Sequence, residues 1–470
     1  MEGRSYEQTV TALKSHLRVD SSFDVIMRHF KIGSRDASLF FVDGFAKDEI
    51  LERLLEYIMS LQDEDFCMIG TSGRFEDRFL TYIQVTTEDA IQKVATAVLS
   101  GLQALVIQGV DGVILIEARQ YPARSVEEPD TDRVMRGSHD GFVETLLFNT
   151  ALVRRRIRDP QLTMERHQIG DISATDVVVC YMDRRVNREQ LELLRRKLRA
   201  IHIPSLTMAQ ESLAECLVPR QWYNPLPKVR YTERPDTVAA CINEGQIVIL
   251  VDNSASAMIV PSAIFEFLQD TNDFCFPPLV GTYLRFVRTM IFWATLLLMP
   301  LWFLLVKNPE VVPPALRFLL IRQPNEVPVF LQILISELII DGIKLASLNT
   351  PNALNNAFSV VGGLILGEFA VSAGIFVPEV LLYMAFTATA NFTQPSFELG
   401  YAFKLFRMML VVLIALLNWW GFGLGLFLIL FLMANTETVS GKRYLYPLIP
   451  FNGKALLRQL LRFPIHKDNC

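Results

Sequence analysis

Three ionisable side chains inside one apolar stretch are the residues best suited to chemistry. Residues 329–348 are long enough to cross a bilayer core of about 30 Å at 1.5 Å per residue, yet they include Glu337, Asp341 and Lys344. At about 100° per residue in a helix, these positions share one narrow arc. Ionisable groups at membrane depth cost at least roughly 2.5–3.5 kcal/mol each, so they face water or each other. The spacing therefore predicts either a satisfied charge pair that joins helices or a polar, pore-lining face.

A second apolar segment, residues 357–376, carries small residues at spacings that place them on one side of a helix. These residues are Gly363, Gly367, Ala370 and Gly374. Such a stripe lets a neighbouring helix approach closely, and Glu368 stands at its margin. Plain helix packing and a role in transport both remain open for this stripe. The candidate pore or gate residues are Glu337, Asp341, Lys344 and Glu368.

Composition indicates a membrane protein with a large soluble part. Residues 285–470 hold 14 Lys/Arg and 9 Asp/Glu of the chain's 45 and 50, which leaves 31 basic and 41 acidic residues before them. An acidic head on a slightly basic membrane unit argues against nucleic-acid binding. The six cysteines are scattered without a CxxC spacing, so we expect no metal site, no disulfide framework and no cofactor.

The elements of the head occur twice along the chain. Short apolar runs from residue 23 are followed by a helical pattern, a second helix and a hairpin with its turn at Gly109 to Gly112. The paired positions of the two copies are Ile32-Gly33 with Ile169-Gly170, Ala37 with Ala174, Glu49 with Glu189, Leu51 with Leu191, and Gly101 with Gly245. We therefore predict an α/β soluble head of two related subdomains followed by an α-helical multi-pass membrane domain.

The predicted boundaries follow from composition and from this repeat. They are an N-terminal lead-in at 1–22, α/β subdomain 1 at 23–120, a linker and helix at 121–159, α/β subdomain 2 at 160–280, a multi-pass transmembrane domain at 281–440 and a basic cytoplasmic tail at 441–470. The polar N-terminus lacks the apolar core of a secretory signal, which places the head in the cytoplasm. No phosphate-binding loop, nucleophile elbow or metal-binding HExxH occurs, so an enzyme is the least favoured interpretation.

Two further patterns leave alternatives open. The run Arg154-Arg155-Arg156 either binds an anionic headgroup or acidic partner, or forms a solvated face paired with the head's own acids, which is the commoner case. Residues 405–434 are too long for one upright span and short for two, and Asn418 to Gly421 could mark a break. With both ends inside by the positive-inside tendency, four or six crossings are expected.

One stretch of the head, residues 231–274, resembles the A subunits of spore germinant receptors, the GerA family. The positions that match the family pattern are Glu233, Arg234, Pro235, Asp236, Gly245, Val251, Asp252 and Pro261. The later runs 350–379 and 391–407 also resemble family segments, through Pro351, Gly362, Gly363, Gly367, Ala373, Gly374, Pro378, Phe392, Pro395 and Glu398. The likeness covers roughly residues 20–460.

The resemblance implies a subunit of an assembly in the inner membrane of the endospore, with its head in the cytoplasm, the spore core. It implies a ring-shaped, pentameric ion channel that releases monovalent cations during germination, with other germination subunits and membrane lipid as partners. Asn253-Ser254-Ala255, Glu368 and Ser372 depart from the family pattern, which argues against this chain itself sensing a small-molecule germinant. The alternative is a membrane-anchored scaffold or ligand-binding subunit without a pore of its own.

Overall fold

A computed structural model describes residues 5–45, 48–67, 85–118, 137–218, 221–274, 276–322, 326–349, 369–439 and 441–462. The chain forms two compact units. The first unit comprises residues Met1–Arg220, Val229–Pro261 and Thr438–Gly441, and the second comprises Gln221–Lys228, Ser262–Glu437 and Lys442–Cys470.

The first unit contains two five-stranded sheets and the helices that cover them. Its strands are β1 (Val25–Ile32), β2 (Arg35–Val42), β3 (Val85–Glu88), β4 (Gln103–Ile107), β5 (Val113–Ile116), β6 (Leu162–Ile169), β7 (Thr175–Met182), β8 (Arg230–Thr232), β9 (Ile247–Val251) and β10 (Ala257–Val260). Its helices are α1 (Tyr6–Leu17), α2 (Asp48–Ser60), α3 (Asp63–Cys67), α4 (Ile91–Leu99), α5 (Leu146–Arg156), α6 (Arg188–Arg199), α7 (Gln210–Leu217) and α8 (Pro235–Asn243).

The two sheets have the same topology. Their strand orders are β1-β2-β4-β5-β3 and β6-β7-β9-β10-β8, so each strand of the first sheet has a counterpart in the second. Every described strand pair is antiparallel. The prediction of two related subdomains is therefore confirmed, but the sheets are antiparallel sheets of short hairpins rather than the parallel sheets that the term α/β usually denotes.

Most of the paired positions occupy equivalent places. Ile32 and Ile169 each end the first strand of their sheet, and the following Gly33 and Gly170 have positive φ angles of 58° and 97° that suit the turn. In the same way, Glu49 and Glu189 are each the second residue of a helix, and Leu51 and Leu191 the fourth. Gly101 and Gly245 each lie two residues before a strand, with φ of 99° and 92°.

The pairing of Ala37 with Ala174 is wrong. Ala37 lies within β2, whereas Ala174 lies in the loop before β7. The first hairpin joins Ile32 to Arg35 through two residues, while the second joins Ile169 to Thr175 through five. The longer loop shifts the sequence match out of register.

Both faces of each sheet are covered by helices. On the first sheet, α1 and α4 pack on one face through residues such as Leu13 and Val98, and α2 packs on the other through Ile58. On the second sheet, α5 and α8 cover one face, and α6 and α7 cover the other. This burial on both faces explains why a central strand such as β9 is apolar at every position.

The second unit is helical. Its helices are α9 (Pro278–Lys307), α10 (Val329–Asn349), α11 (Ala370–Ser372), α12 (Pro378–Asn391), α13 (Phe397–Asn435) and α14 (Gly453–Leu460), with 3-10 turns at Ile264–Leu268, Thr271–Phe274, Pro309–Val311 and Pro314–Leu319. Among the described residues, α9 and α13 are long and apolar enough to cross a membrane.

Helix α13 is a hairpin of two helices. Asn418 has the non-helical angles φ 54° and ψ −127°. A Cβ atom on Gly421 would lie 1.9 Å from the Leu413 carbonyl oxygen, although eight residues of continuous helix would separate these positions by about 12 Å. A Cβ on Gly425 would likewise lie 2.6 Å from Cδ2 of Leu410. The predicted break is confirmed, and the two halves of α13 run side by side in opposite directions.

The hairpin defines two ends of the helical unit. The tip contains Asn418, whose side chain exchanges hydrogen bonds of 2.7 and 2.8 Å with Asn308 at the end of α9. The base contains both ends of α13 and the beginning of α9. Near the base, Phe292 of α9 belongs to one apolar cluster with Phe403 and Met433 from the two halves of the hairpin.

Candidate functional site: a buried charge cluster in the helical unit

A buried ion pair joins α10 to α13. Glu337 and Arg407 are only 3% and 2% exposed. The Arg407 guanidinium donates from Nε and Nη2 to Oε1 of Glu337, at 2.8 and 2.6 Å. Its Nη1 donates to the Thr295 carbonyl oxygen of α9 at 2.8 Å. One side chain thereby connects three helices of the second unit.

Lys404 extends this pair into a cluster. It lies one turn before Arg407, and its Nζ is 3.2 Å from Oε2 of Glu337 and also pairs with Oδ2 of Asp341. It donates as well to the Glu337 carbonyl oxygen at 3.2 Å. Two carboxylates therefore face two cations, and this four-residue cluster, which we call the charge cluster, has no net charge. Such pairing offsets much of the cost of burying each ion.

The outer edge of the cluster is more open. The Asp341 side chain is 33% exposed, while its Oδ1 is buried and accepts no hydrogen bond from the described residues. Lys344 is half-buried, with its Nζ 5.6 Å from the ring centroids of both Phe392 and Tyr401. Both distances suit cation–π contact. Asp341 and Lys344 thus lie at the boundary between the packed interior and the surface of the unit.

The contacts order the helices along one axis. Glu337 lies opposite Arg407, Asp341 opposite Lys404, and Lys344 opposite Tyr401, so α10 runs antiparallel to the first half of α13. Helix α10 therefore runs from the tip side toward the base. The charge cluster lies between the two ends, at the middle of the bundle.

The structure brings together three of the four candidate pore or gate residues, Glu337, Asp341 and Lys344, on one side of α10. Glu368 lies outside the described residues, as do Gly363 and Gly367 of the glycine stripe. Of the stripe's other members, Ala370 is buried in the core around α12, and Gly374 has a positive φ of 70° just before that helix. The roles of these residues stay predictions.

Sequence reasoning missed Lys404 and Arg407 as partners of Glu337 and Asp341. The signal was present, because two basic residues three apart interrupt a long apolar run and share one helix face. Pairing a charge in one apolar segment with an opposite charge in another would have found them.

The arginine run of the head forms ion pairs within the first unit. Arg154 is buried and donates to both carboxylate oxygens of Asp24, at 2.8 and 3.1 Å, and to Oγ of Ser22 at 3.2 Å. Arg156 pairs with Asp140 at 2.7 Å. Pairing with the head's own acids is therefore confirmed for these two residues, but the predicted solvated face is wrong for Arg154, whose side chain is 1% exposed. Arg154 also connects the two subdomains, since Ser22 receives a hydrogen bond from the Met164 amide of β6.

Three comparisons with known proteins bear on the chain as a whole. The family model described as "Bacillus/Clostridium GerA spore germination protein" matches residues 11–469. The chain belongs to the GerA spore germination family. The predicted resemblance is therefore confirmed over nearly the whole length.

Curated GerA-family relatives match the chain over most of their own length. Stage V sporulation protein AF of Bacillus subtilis is 36% identical over 449 residues, 96% of this chain and 90% of the relative. Spore germination protein KA of the same organism is 26% identical, and the match covers 96% of this chain and 83% of the relative. Spore germination protein GerLA of Bacillus cereus is 28% identical, and the match covers 83% of this chain and 79% of the relative. A crystal structure of the N-terminal domain of the A subunit of the Bacillus megaterium spore germinant receptor GerK3 aligns with a TM-score of 0.42 at 24% identity, over 56% of this chain and 99% of that one.

The GerA-family motif residues of the second subdomain make structural contacts. Arg234 precedes α8, is buried, and donates to both carboxylate oxygens of Asp236 at 3.0 and 2.5 Å and to the Ser138 carbonyl at 3.0 Å. Pro235 occupies the first position of α8, where its missing N–H costs nothing. The Glu233 carbonyl oxygen accepts from the Phe142 amide at 2.9 Å.

The remaining motif residues end or begin elements. Asp252 accepts at Oδ1 from the Leu146 amide at 3.2 Å and so caps the start of α5. A Cβ on Gly245 would lie 2.6 Å from the Arg185 carbonyl oxygen, which leaves room only for glycine. Pro261 ends the first unit's second segment. These contacts place the motif residues at turns and at the starts of helices in the second subdomain.

Proposed function

We propose that this GerA-family chain is a membrane subunit of a spore germination complex, and that it forms or assists a ring-shaped, pentameric channel that releases monovalent cations during germination. In this proposal the helical unit is a multi-pass domain in the inner membrane of the endospore, and the head and tail lie on the side of the spore core. Membership of the GerA family supports the germination role.

The exposed edge of the charge cluster carries the channel proposal. Asp341 lies near the middle of α10 and Lys344 about one turn closer to the base, and the other exposed residues described in this helix are apolar, including Leu331, Leu338 and Leu345. Charged groups at the centre of a bilayer do not face lipid, because they would lose their hydration there. In an assembly, these two side chains would therefore meet either water or the polar surface of a neighbouring subunit. A closed ring of subunits provides both.

The directions of the helices support the membrane placement. Helix α9 begins at the base, and α13 both begins and ends there, so the chain enters and leaves the helical unit at the same end. A chain that enters and leaves on the same side of a membrane crosses it an even number of times, which agrees with the four or six crossings predicted from the sequence. The basic residues that follow α13 favour the cytoplasmic side for that end.

The test is the release of monovalent cations from germinating spores in which the natural copy is replaced by Asp341→Asn at matched protein abundance. We expect a several-fold change in release rate, because the substitution removes the exposed charge while keeping the side-chain shape. Ile343→Ala, about 200° away and so on the opposite face of the same helix, is the matched control and should leave release unchanged. Wild-type release from the Asp341→Asn spores would remove this residue from the ion path.

The alternative is a membrane-anchored scaffold that holds a partner subunit without a pore of its own. The deep burial of Glu337, Lys404 and Arg407 favours it, since among the described residues their ion-pair partners are one another and Asp341. Reconstituted protein would then be monomeric in detergent and give no conductance, whereas the channel proposal requires an oligomer with an open centre.

A further inference from the structure

The base of the helical unit carries a group of exposed apolar side chains beside basic ones. In the segment after α13, Phe451 is 75% exposed, and Leu457 and Leu461 are also exposed. The same segment exposes Arg443 and Lys454. Monomeric soluble surfaces rarely combine several large apolar side chains in so short a stretch. Residues 448–462, which we call the base segment, therefore require a partner.

The base segment is fixed to the beginning of α9. The Arg462 amide donates to Oγ1 of Thr282 at 3.1 Å, and Nη1 of Arg285 donates to the Gln459 carbonyl oxygen at 3.0 Å. Both Thr282 and Arg285 lie in the first two turns of α9. Helix α14 is thus held where the long apolar helix begins.

The surface of α9 next to this contact is apolar. Exposed residues recur at helical spacing from its first turn onward, and they are Leu279, Tyr283, Phe286 and Met290. A stripe of this kind on a helix long enough to cross a bilayer is the surface that contacts acyl chains. The exposed apolar residues of the base segment begin at the level where this stripe begins.

A pair of exposed aromatic residues lies close to the end of α13, also at the base. Trp222 is 98% exposed, and Tyr223 is exposed beside it. Their segment is tied to the end of α13 by the Asn224 side chain, which donates to Oγ1 of Thr436 at 2.8 Å. Tryptophan and tyrosine at the end of a spanning helix are typical of the membrane–water interface, where an apolar ring and a polar tip are both satisfied.

We propose that the base segment lies in the interface of the bilayer as an anionic-lipid-binding element, with Trp222 and Tyr223 at the same depth. At about 100° per residue, Leu456 and Leu457 fall on one face of α14 and Lys454 on another, and the polar residues of this helix are about as numerous as its apolar ones. That combination distinguishes a helix lying in the interface from one that spans the bilayer. Lys454 and Arg443 supply the charge complementary to an anionic headgroup, whereas the exposed leucines reach the acyl boundary.

This proposal rests on the membrane placement in the proposed function, so the experiment separates the two. A fluorescent non-canonical amino acid is introduced into the full chain at Leu457, at Met290 in α9 or at Ile172 in the head, all of them exposed positions. Each protein is reconstituted in phosphatidylcholine vesicles with or without phosphatidylglycerol. Quenching by lipids brominated near the headgroup or deep in the acyl chain then reports the depth of each probe.

We expect the probe at Leu457 to be quenched by bromines near the headgroup, the probe at Met290 by deep bromines, and the probe at Ile172 by neither. A probe at Met290 that no lipid quenches would refute the membrane placement itself. A quenched probe at Met290 together with an unquenched one at Leu457 would overturn the interface proposal alone. A probe at Leu457 shielded from both lipid and aqueous iodide would assign the base segment to a neighbouring subunit, which also overturns it.

A variant of Lys454 tests whether the base segment needs its positive charge to prefer anionic lipid. Lys454→Gln should weaken the preference of the base segment for phosphatidylglycerol by about fivefold, the effect of one basic residue near an anionic surface. Quenching in pure phosphatidylcholine should not change. Lys93→Gln, an exposed lysine in the head, is the matched control. Equal quenching of wild type and Lys454→Gln in anionic vesicles would refute recognition of the headgroup.

Discussion

Replacing Arg407 by leucine tests whether the charge cluster holds the helical unit together. The substitution removes the two hydrogen bonds of 2.8 and 2.6 Å to Glu337 and leaves that carboxylate, 3% exposed, paired with Lys404 alone among the residues that the structure describes. Breaking one side of a buried ion pair costs about 3–5 kcal/mol. Because Lys404 stays within 3.2 Å of Glu337, we expect a loss near the lower end of that range.

The double variant Glu337→Leu with Arg407→Leu isolates the pairing energy. It removes one charge of each sign and leaves Lys404 paired with Asp341. Replacing a buried ion pair with apolar residues of similar volume is often nearly neutral. The double variant should therefore be less destabilised than either single variant, even though it removes more of the native contacts.

The free energy of unfolding can be measured for the four proteins of this cycle by titration with sodium dodecyl sulfate in mixed micelles, with helix content as the signal. Losses that simply add in the double variant would show that the two residues do not interact. A free energy of unfolding for Arg407→Leu equal to that of the wild type would also refute the prediction. Either result would mean that the cluster is not what fixes α10 against α13.

Three further predictions concern other parts of the chain. Gly421→Ala should prevent the hairpin of α13 from closing and abolish stable expression, because a Cβ there would lie 1.9 Å from a backbone oxygen. Gly423 has open space around it, so Gly423→Ala is the control and should be tolerated at wild-type abundance. Arg154→Met leaves the buried Asp24 carboxylate without its cation, so it should raise the rate of hydrogen exchange at residues 22–24 and 162–164. Mass spectrometry on the full chain measures this exchange, and an unchanged rate would contradict a connecting role for the pair. Burial alone would raise the pKa of Glu165, but the nearby His167, with Nε2 3.8 Å from Oε2, and hydrogen bonds from Arg195 and Tyr181 lower it from 4.5 to about 2. This group therefore stabilises the head above about pH 4.5. That contribution, about 1–3 kcal/mol after allowing for partial solvent access, is lost as the pH falls toward 2. Chemical unfolding of Glu165→Gln should show a correspondingly smaller loss between these pH values, and an unaltered acid limb would refute the assignment.

The repeat within the head could be predicted from the sequence because it is encoded in local signals. Glycines with positive φ at Gly33, Gly170, Gly101 and Gly245 mark turns that few other residues tolerate, and these recurred at matching places in both copies. The antiparallel pairing could not be read in the same way. A central strand such as β9 is buried on both faces, so it has the continuous apolar pattern that parallel strands also show.

The charge cluster was harder to predict because its members are distant along the chain. Glu337 and Asp341 are recognisable within their own helix, but Lys404 and Arg407 lie about seventy residues later, as the separation of the bonded pair shows. Periodicity describes one helix at a time and contains no information on which helices meet. The hairpin of α13 shows the same limit: the break at Asn418 was visible as a polar interruption, but the close contact of Gly421 with Leu413 depends on the turn's three-dimensional shape.

The inner and outer charges of α10 lead to different expectations under the proposed function. Glu337 has its carboxylate bonded by two cations and is only 3% exposed, so we expect it to hold helices together. Asp341 shares Lys404 with it, yet remains one-third exposed, and Lys344 lies beyond it against two aromatic rings. Because Glu337 fixes α10 to α13, Asp341 and Lys344 have defined positions. In the proposed assembly they would face water or a neighbouring subunit. A variant at Asp341 should then alter transport without loss of the fold, while a variant at Glu337 should lose the fold first, and that order of effects distinguishes the inner half of the cluster from its edge.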